Sequence, residues 1–385
     1  MKRPAGWNSF RHYLPLLICL ALATSLRPFG TPVLAKQPSV EIRATWLILD
    51  GHFSEDPARG RAEVQACINR LADAHFNAVF IWMRSEYAAA IQDERFRPLA
   101  PLATWDAVEE AMSAASKCGL QTHLWYSFTH YKSAQSPEFN RGAGGDPTWA
   151  SMSVEELGSE VRSMADCCPM HPAARKWELD LIQRMISRYP KLAGVHIEEP
   201  GYGYADRCVC DLCRTVYQQT YQASLEAEPT GERAADLKCL ATTAFMRDLD
   251  QWRRQQGRSL SLSTNGGADW RGERKLGRDW ARWARLGWLD FYAAQIYTTD
   301  EGEFSRLAAE VMKELQGDCP ILIGVAAKWS NGENDAASIA KQIERARRAG
   351  AQGVAIYHAA ALSDKHLAAL AAGPFRDAAS LQPQP

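Results

Sequence analysis

The residues best placed to do chemistry are two consecutive carboxylates, Glu198 and Glu199, at the end of the apolar run Ala193-Gly-Val-His-Ile-Glu-Glu-Pro200. In a strand alternate side chains share a face, so Val195 and Ile197 fall on one side and His196 and Glu198 on the other. A strand that only fills a core has no use for unpaired buried charge. The run therefore reads as the floor of an active site, with a carboxylate where strand gives way to loop. Paired carboxyls suit acid–base work, in which one delivers a proton and the other acts as nucleophile or base. In a regular strand Glu199 points away from Glu198. It joins the pair if the chain kinks before Pro200 and is otherwise a supporting partner.

A second constellation follows closely, Cys208-Val-Cys210-Asp-Leu-Cys213. Thiolates at this spacing suit a structural zinc, with a fourth ligand from Cys167, Cys168 or His171. Disulfides, for instance between two long loops, are the competing reading in an oxidising compartment. Three thiols so close together are hard to pair locally without strain, which favours zinc. An all-sulfur site is closed and leaves no position for a reacting water, so the cluster is expected to pin a loop. No cofactor is expected for the chemistry itself. Cys67, Cys118 and Cys239 fall on helical stretches and read as small buried apolar groups.

The elements that must position these residues follow from periodicity. Apolar strand-like runs recur at 42–49, 78–83, 122–128, 193–197, 260–263, 291–297, 321–327 and 353–357. Helix-period segments lie between them at 61–75, 104–118, 173–189, 236–256, 278–286, 303–315 and 336–349, with 364–372 closing the series. Strands alternating with helices in this way predict an α/β fold, a (β/α)8 TIM barrel. An open doubly wound sheet would usually carry a Gly-rich phosphate loop after its first strand, where this chain has Asp50-Gly-His-Phe. Two long connections, 129–172 and 201–236, follow strands three and four. In a barrel both leave from the catalytic face and would wall a cleft.

Polar residues at the strand ends then converge on one pocket. The carboxylates among them are Glu198, Glu199, Asp50 and Glu86, with Asp300 a further candidate. The expected substrate contacts are Arg84, Trp125, His196, Asn265, Gln295, Tyr297, Lys328, Trp329 and His358. Flat aromatic faces, hydroxyl-bonding side chains and two carboxyls are what a sugar-cleaving site requires. Trp82, Trp125, Trp149, Trp270 and Trp329 lie in or near strand ends, with core packing the alternative for each. Arg84 and His196 are expected to keep Glu198 ionised, as a nucleophile needs. The alternative is a structural ion pair between Glu198 and Arg84.

The N-terminus carries Lys2, Arg3 and Arg11, then the apolar stretch from Leu14 to Leu26, then the small-residue pattern Val33-Leu-Ala35. This is the layout of a secretory signal peptide over residues 1–35. It leaves a single domain over 36–377 and a loose tail over 378–385, exported to the periplasm or secreted. No later stretch approaches the roughly 18 apolar residues of a membrane span. The formal net charge of −1 and the lack of a basic stripe argue against nucleic acid as a partner. The ten cysteines fall to nine once Cys19 leaves with the signal, so at least one is unpaired or bound to something else.

Four segments carry a family resemblance: Glu41-Ile-Arg-Ala-Thr-Trp46, Asn77 through Arg84, Gly194-Val-His-Ile-Glu-Glu-Pro200 and Asp290-Phe-Tyr-Ala-Ala-Gln-Ile-Tyr297. In this order, on successive strands, the chain resembles the glycosyl hydrolase-like family 10 barrels, exported bacterial enzymes distantly similar to the alpha-amylase type. The resemblance spans most of the mature chain and implies an exported glycoside hydrolase acting on a polysaccharide or oligosaccharide, from bacterial wall or exopolymer glycans to plant or algal ones. Relatives tend to place Asp where Glu198 stands, and the fifth strand ends in Asn265, not in the Glu an alpha-amylase-type acid would need. That departure supports the alternative of a carbohydrate-binding barrel without catalysis. A metal-dependent hydrolase using His52, His123, His196 or His358 ranks below both, because strand one lacks a His-x-His pair.

Overall fold

Inward and outward faces of the strands are sorted by residue size and polarity, and the computed structural model, which describes residues 40–49, 51–82, 105–128, 149–158 and 167–379, shows where each face goes. Strands β1 (Ile42–Leu47), β2 (Ala78–Trp82), β3 (Gln121–Ser127), β4 (Gly194–Glu198), β5 (Ser261–Gly267), β6 (Phe291–Gln295), β7 (Ile321–Ala326) and β8 (Gly353–Tyr357) are parallel and close into a barrel in chain order. Ala44, Trp46, Phe80, Trp125, Phe291 and Leu322 fill the lumen. The alternate residues, such as Leu47, Val79, Leu124, Val195 and Ile323, pack outward against the helices in a larger core. This is the (β/α)8 barrel that the alternation of periods predicts.

The helices are α1 (Pro57–Asp73), α2 (Ala107–Lys117), α3 (Pro172–Arg188), α4 (Asp211–Tyr221), α5 (Glu232–Arg254), α6 (Trp270–Lys275), α7 (Trp280–Arg285), α8 (Glu301–Leu315), α9 (Ala336–Ala349) and α10 (Asp364–Ala372). Their starts are set by short polar caps. Asp56, Asp106, Asp300 and Asp335 each accept a backbone N–H from the first turn, satisfying a donor that has no partner inside the helix. At the other end of α9, Gly350 takes φ 95°, the left-handed cap for which a side chain would be strained.

Three features depart from the sequence reading. Helix α4 lies inside the connection after β4, where it buries only Cys213 and Tyr217, a stripe too thin to announce itself as a period. Helix α6, at six residues, is too short to show one. Strand β5 runs on to Gly267, well past 263, because its last residues, Thr264-Asn-Gly-Gly267, are polar or small and carry no apolar alternation. A two-residue ladder, Lys328–Trp329 against Gly332–Glu333, follows β7.

The connections after β3 and β4 build a second, smaller core of their own. Cys168 and Met170 from the first pack with Tyr202, Cys208, Val209, Cys213 and Tyr217 from the second and with Leu237 of α5. Residues from Gln37 onward form one compact unit. The expected signal peptide over residues 1–35, and Asp50, Arg84 and Glu86, lie outside the described residues. Among the described residues no helix is long and apolar enough to cross a membrane.

Candidate active site

The geometry of the site begins one layer below its surface. His196 and Glu198 share the lumen face of β4, as alternation requires. His196 is sealed in the barrel, stacked on Phe80 at 4.3 Å, with its Nδ1 2.9 Å from Ser263 Oγ. Burial, reinforced by neighbouring His123, holds its pKa well below the ordinary histidine value. His123 is itself pushed down to about 4 by burial. Gly194 makes room for it, since a Cβ there would lie 2.5 Å from His123 Nδ1. Both rings are therefore neutral parts of the floor. His196 cannot supply the positive charge expected of it beside Glu198.

Glu198 stands above this layer at the open end of β4. Its Oε2 accepts from Trp125 Nε1 at 2.5 Å and from Asn265 Nδ2 at 2.6 Å. These donors come from the strands on either side, β3 and β5. Hydrogen bonds to a carboxylate favour its charged form, yet here they are outweighed. Burial, followed by the adjacent charge of Glu199, raises Glu198 to about 7, against the lowering effects of Asn265, Trp125 and Arg278. Of the two partners expected to keep Glu198 ionised, His196 is neutral, and Arg84 lies outside the described residues. Burial and the like charge of Glu199, more than the hydrogen bonds, set the direction of the shift.

The chain kinks where the sequence allowed it to. Glu199 has φ 39°, a left-handed conformation uncommon outside glycine. Its N–H donates to Asn265 Oδ1 at 2.9 Å, so one Asn side chain holds both glutamates. The turn sends Glu199 to Arg278, with Oε2 2.9 Å from Nη2. Arg278 is almost wholly buried and also meets Glu273 of α6 at 3.3 Å. A buried guanidinium between two carboxylates satisfies charge that would otherwise be costly.

Arg278 and Glu273 escaped the sequence reading, although a signal was present. Asn265 is followed by Gly266 and Gly267, and a Cβ on Gly266 would sit 2.5 Å from Glu273 Oε2. A Cβ on Gly201 would meet Leu276 O at 2.4 Å and Arg278 Cγ at 2.7 Å. Glycines just past the polar ends of β4 and β5 marked where other groups press in.

Aromatic rings surround the carboxyl. Trp82 meets Trp125 edge-on at 4.2 Å, and Tyr297 stacks on Tyr357 at 5.5 Å. Burial first, then the charge of Glu198, raises the pKa of both tyrosines. Gln295 adjoins the buried Tyr297 hydroxyl without a well-formed hydrogen bond. His358 lies beyond Tyr357 and faces His52 at 5.4 Å.

Other expected contacts are placed elsewhere. Lys328 is exposed and Trp329 half-buried in the short ladder, with Gly332 beneath the Trp329 ring. Trp270 donates to Asp279 at 2.9 Å and carries Arg274 over its face, which makes it a packing residue of α6. Trp149 packs against Cys167 and Ala174. Asp300 spends its carboxylate on capping α8, accepting from Glu303 N–H at 2.7 Å. Among the described residues His52, His123, His196 and His358 form no ligand cluster. Among the described residues the one group of side chains placed to hold a metal is Cys168, Cys208, Cys210 and Cys213, which makes Cys168 the fourth member of the cysteine constellation.

A parallel eight-stranded barrel with aromatic rings and paired carboxyls at its C-terminal mouth has the architecture of glycoside hydrolases. The chain belongs to the glycosyl hydrolase-like 10 family, whose profile matches residues 41–336. Among solved structures it is similar to the PgaB (BpsB) glycoside hydrolase domain from Bordetella bronchiseptica, at 16% identity and TM-score 0.61, covering 85% of this chain and 95% of that one. It is also similar to alpha-L-fucosidase isoenzyme 2 from Paenibacillus thiaminolyticus, at 15% identity and TM-score 0.60, over 87% of this chain and 49% of that one. Beta-galactosidase from Bacillus circulans sp. alkalophilus follows at 13% identity and TM-score 0.58, over 84% of this chain and 51% of that one. The chain thus spans about half the length of the latter two. At such identities the likeness is one of fold. No curated protein matches the chain in sequence.

Proposed function

We propose that the protein is an exported glycoside hydrolase that cleaves a polysaccharide or oligosaccharide by a two-carboxylate mechanism, with Glu198 as the proton donor. The observation that carries this reading is the pKa of Glu198, raised to about 7 by burial and by Glu199 while Trp125 and Asn265 fix its position. A general acid works best with a pKa near the operating pH, and glycosidases raise one carboxyl for this purpose. Both fixed donors address Oε2, which leaves Oε1 as the oxygen that carries a proton to the leaving group.

Glu199 is the second carboxylate of the pair, compensated by Arg278 at 2.9 Å. Asp50 and Glu86, expected at the ends of the first two strands, are the further candidates for the base or nucleophile. Tyr297 and Tyr357, both partly exposed, offer the faces on which a sugar ring would lie, and Asn265 and the buried Trp125 belong to the carboxylate clamp. His196 acts from below, as a neutral shelf under Glu198. Export follows from the signal-like residues 1–35. The substrate is a carbohydrate with no nucleic acid involved.

The test is turnover of a panel of reducing-end-labelled glycans, peptide-free wall glycan strands included, by the mature protein and by Glu198→Gln. Cleavage by the first and not by the second is the expected result. Binding of glycans without cleavage by the parent protein would establish the non-catalytic carbohydrate-binding barrel instead.

A further inference from the structure

Outside the barrel mouth the strongest unassigned feature is the sulfur cluster. Cys168 comes from the connection after β3, and Cys208, Cys210 and Cys213 come from the connection after β4 and the first turn of α4. All four are buried, and their Sγ atoms lie within 4.8 Å of one another, with Cys168 and Cys213 at 3.4 Å. Sulfurs placed about 2.3 Å from a common centre in a tetrahedron are about 3.8 Å apart, which matches this spacing. Disulfides would use the cluster poorly. One bridge could join Cys168 to the other loop, and the second would have to close within Cys208, Cys210 and Cys213, across one, two or four intervening residues. Disulfide geometry resists the shortest of these closures, and any pairing leaves a single bridge between the two connections.

The surroundings also suit thiolates. Cys208 Sγ accepts from the backbone N–H of Met152 at 3.3 Å and of Cys210 at 3.4 Å. Tyr202 Oη lies 3.7 Å from Cys168 Sγ, and His171 Nε2 lies 3.7 Å from Cys210 Sγ. The buried Lys238 ammonium is close enough to interact with the charge of Cys208 and Cys213, and its protons go to the carbonyls of Ala205, Pro229 and Lys275. Donors aimed at ligand sulfurs and a nearby cation are the outer shell that a dianionic four-thiolate metal site needs in an apolar core.

We propose that Cys168, Cys208, Cys210 and Cys213 bind one zinc ion as a closed four-thiolate site that ties the loop after β3 to the loop after β4. With every position taken by sulfur the ion has no opening for water, so its role is structural. Its mechanical reach extends to the barrel mouth. Tyr202, beside Cys168, donates its N–H to Leu276 O at 2.8 Å, and the preceding Gly201 packs on Arg278, the partner of Glu199.

The experiment is metal analysis of the full chain, purified without chelator from zinc-replete cells with thiols blocked at lysis, together with its intact mass. One zinc per chain and no disulfide mass deficit are expected. Replacing zinc by cobalt should give the intense sulfur-to-cobalt charge transfer of tetrahedral thiolate coordination. Cys210→Ser should lower zinc content at least severalfold, and Cys319→Ser, away from the cluster, should leave it at one. Should Cys210→Ser fail to fold, the metal content and cobalt spectrum of the parent chain decide the matter. Disulfides between these cysteines, or free thiols that take up neither zinc nor cobalt, would overturn the proposal.

Discussion

Asn265 and Glu198 form the pivot of the site: Asn265 Nδ2 donates to Glu198 Oε2 at 2.6 Å while its Oδ1 accepts the Glu199 backbone N–H at 2.9 Å. One short side chain on β5 thereby fixes the first glutamate and the kink that turns the second away. The donor lowers the pKa of Glu198. Asn265→Ala should remove that effect and move the alkaline limb of the kcat/KM profile upward from about 7, with a loss of activity as the kink relaxes. Trp125→Phe removes the other donor without touching β5 and should shift the limb in the same direction. An unmoved limb in both variants would separate Glu198 from the titration that limits turnover.

Stability should carry the mark of the same carboxyl. The folded pKa of Glu198, about 7, lies above its unfolded value near 4.5. The folded state then holds more protons across that window, so this group's contribution falls as pH rises from about 4.5 to about 7 and is constant outside it. Glu198→Gln should flatten that slope and leave stability at pH 8 equal or higher. Urea unfolding at several pH values checks this, and identical slopes for the two proteins would contradict it.

Arg278 should matter more to stability than any exposed arginine. It is the buried cation between Glu199 and Glu273. Arg278→Leu leaves both carboxylates without compensation and should cost about 3–5 kcal/mol. Arg278→Lys keeps the charge but loses the two-sided fork, so it should recover part of that stability and less of the activity. A cost for Arg278→Leu below about 1 kcal/mol, the range of surface pairs, would show that the triad is not a buried one.

Much of this arrangement was legible in the residues themselves. Periods of two and 3.6 alternate along nearly the whole chain, so the barrel could be read without tertiary knowledge. The placement of Glu198 at a strand end, with His196 beneath it on the same face, follows from alternation alone. What could not be read was the direction of the pKa shift, since it depends on which groups from distant segments arrive beside the carboxyl. Glu273 comes from a six-residue helix after β5, too short to have a period, and Arg278 from the turn beyond it, at the edge of the expected 278–286 helix. Asp300 looked like a pocket carboxylate because cap positions and barrel-mouth positions both fall at strand-to-helix turns, and only coordinates tell them apart.

The most direct test of the account is how the defect of Glu198→Gln depends on the leaving group. Protonation of the departing oxygen is what a general acid supplies, so a substrate whose leaving group needs no proton should escape the loss. On natural glycans the variant should fall by about 10²–10⁴-fold in kcat/KM. On aryl glycosides of the same sugar bearing a strongly acidic phenol it should approach the parent enzyme. An equally deep loss on both substrates would contradict the assignment of Glu198 as the proton donor and make it the nucleophile.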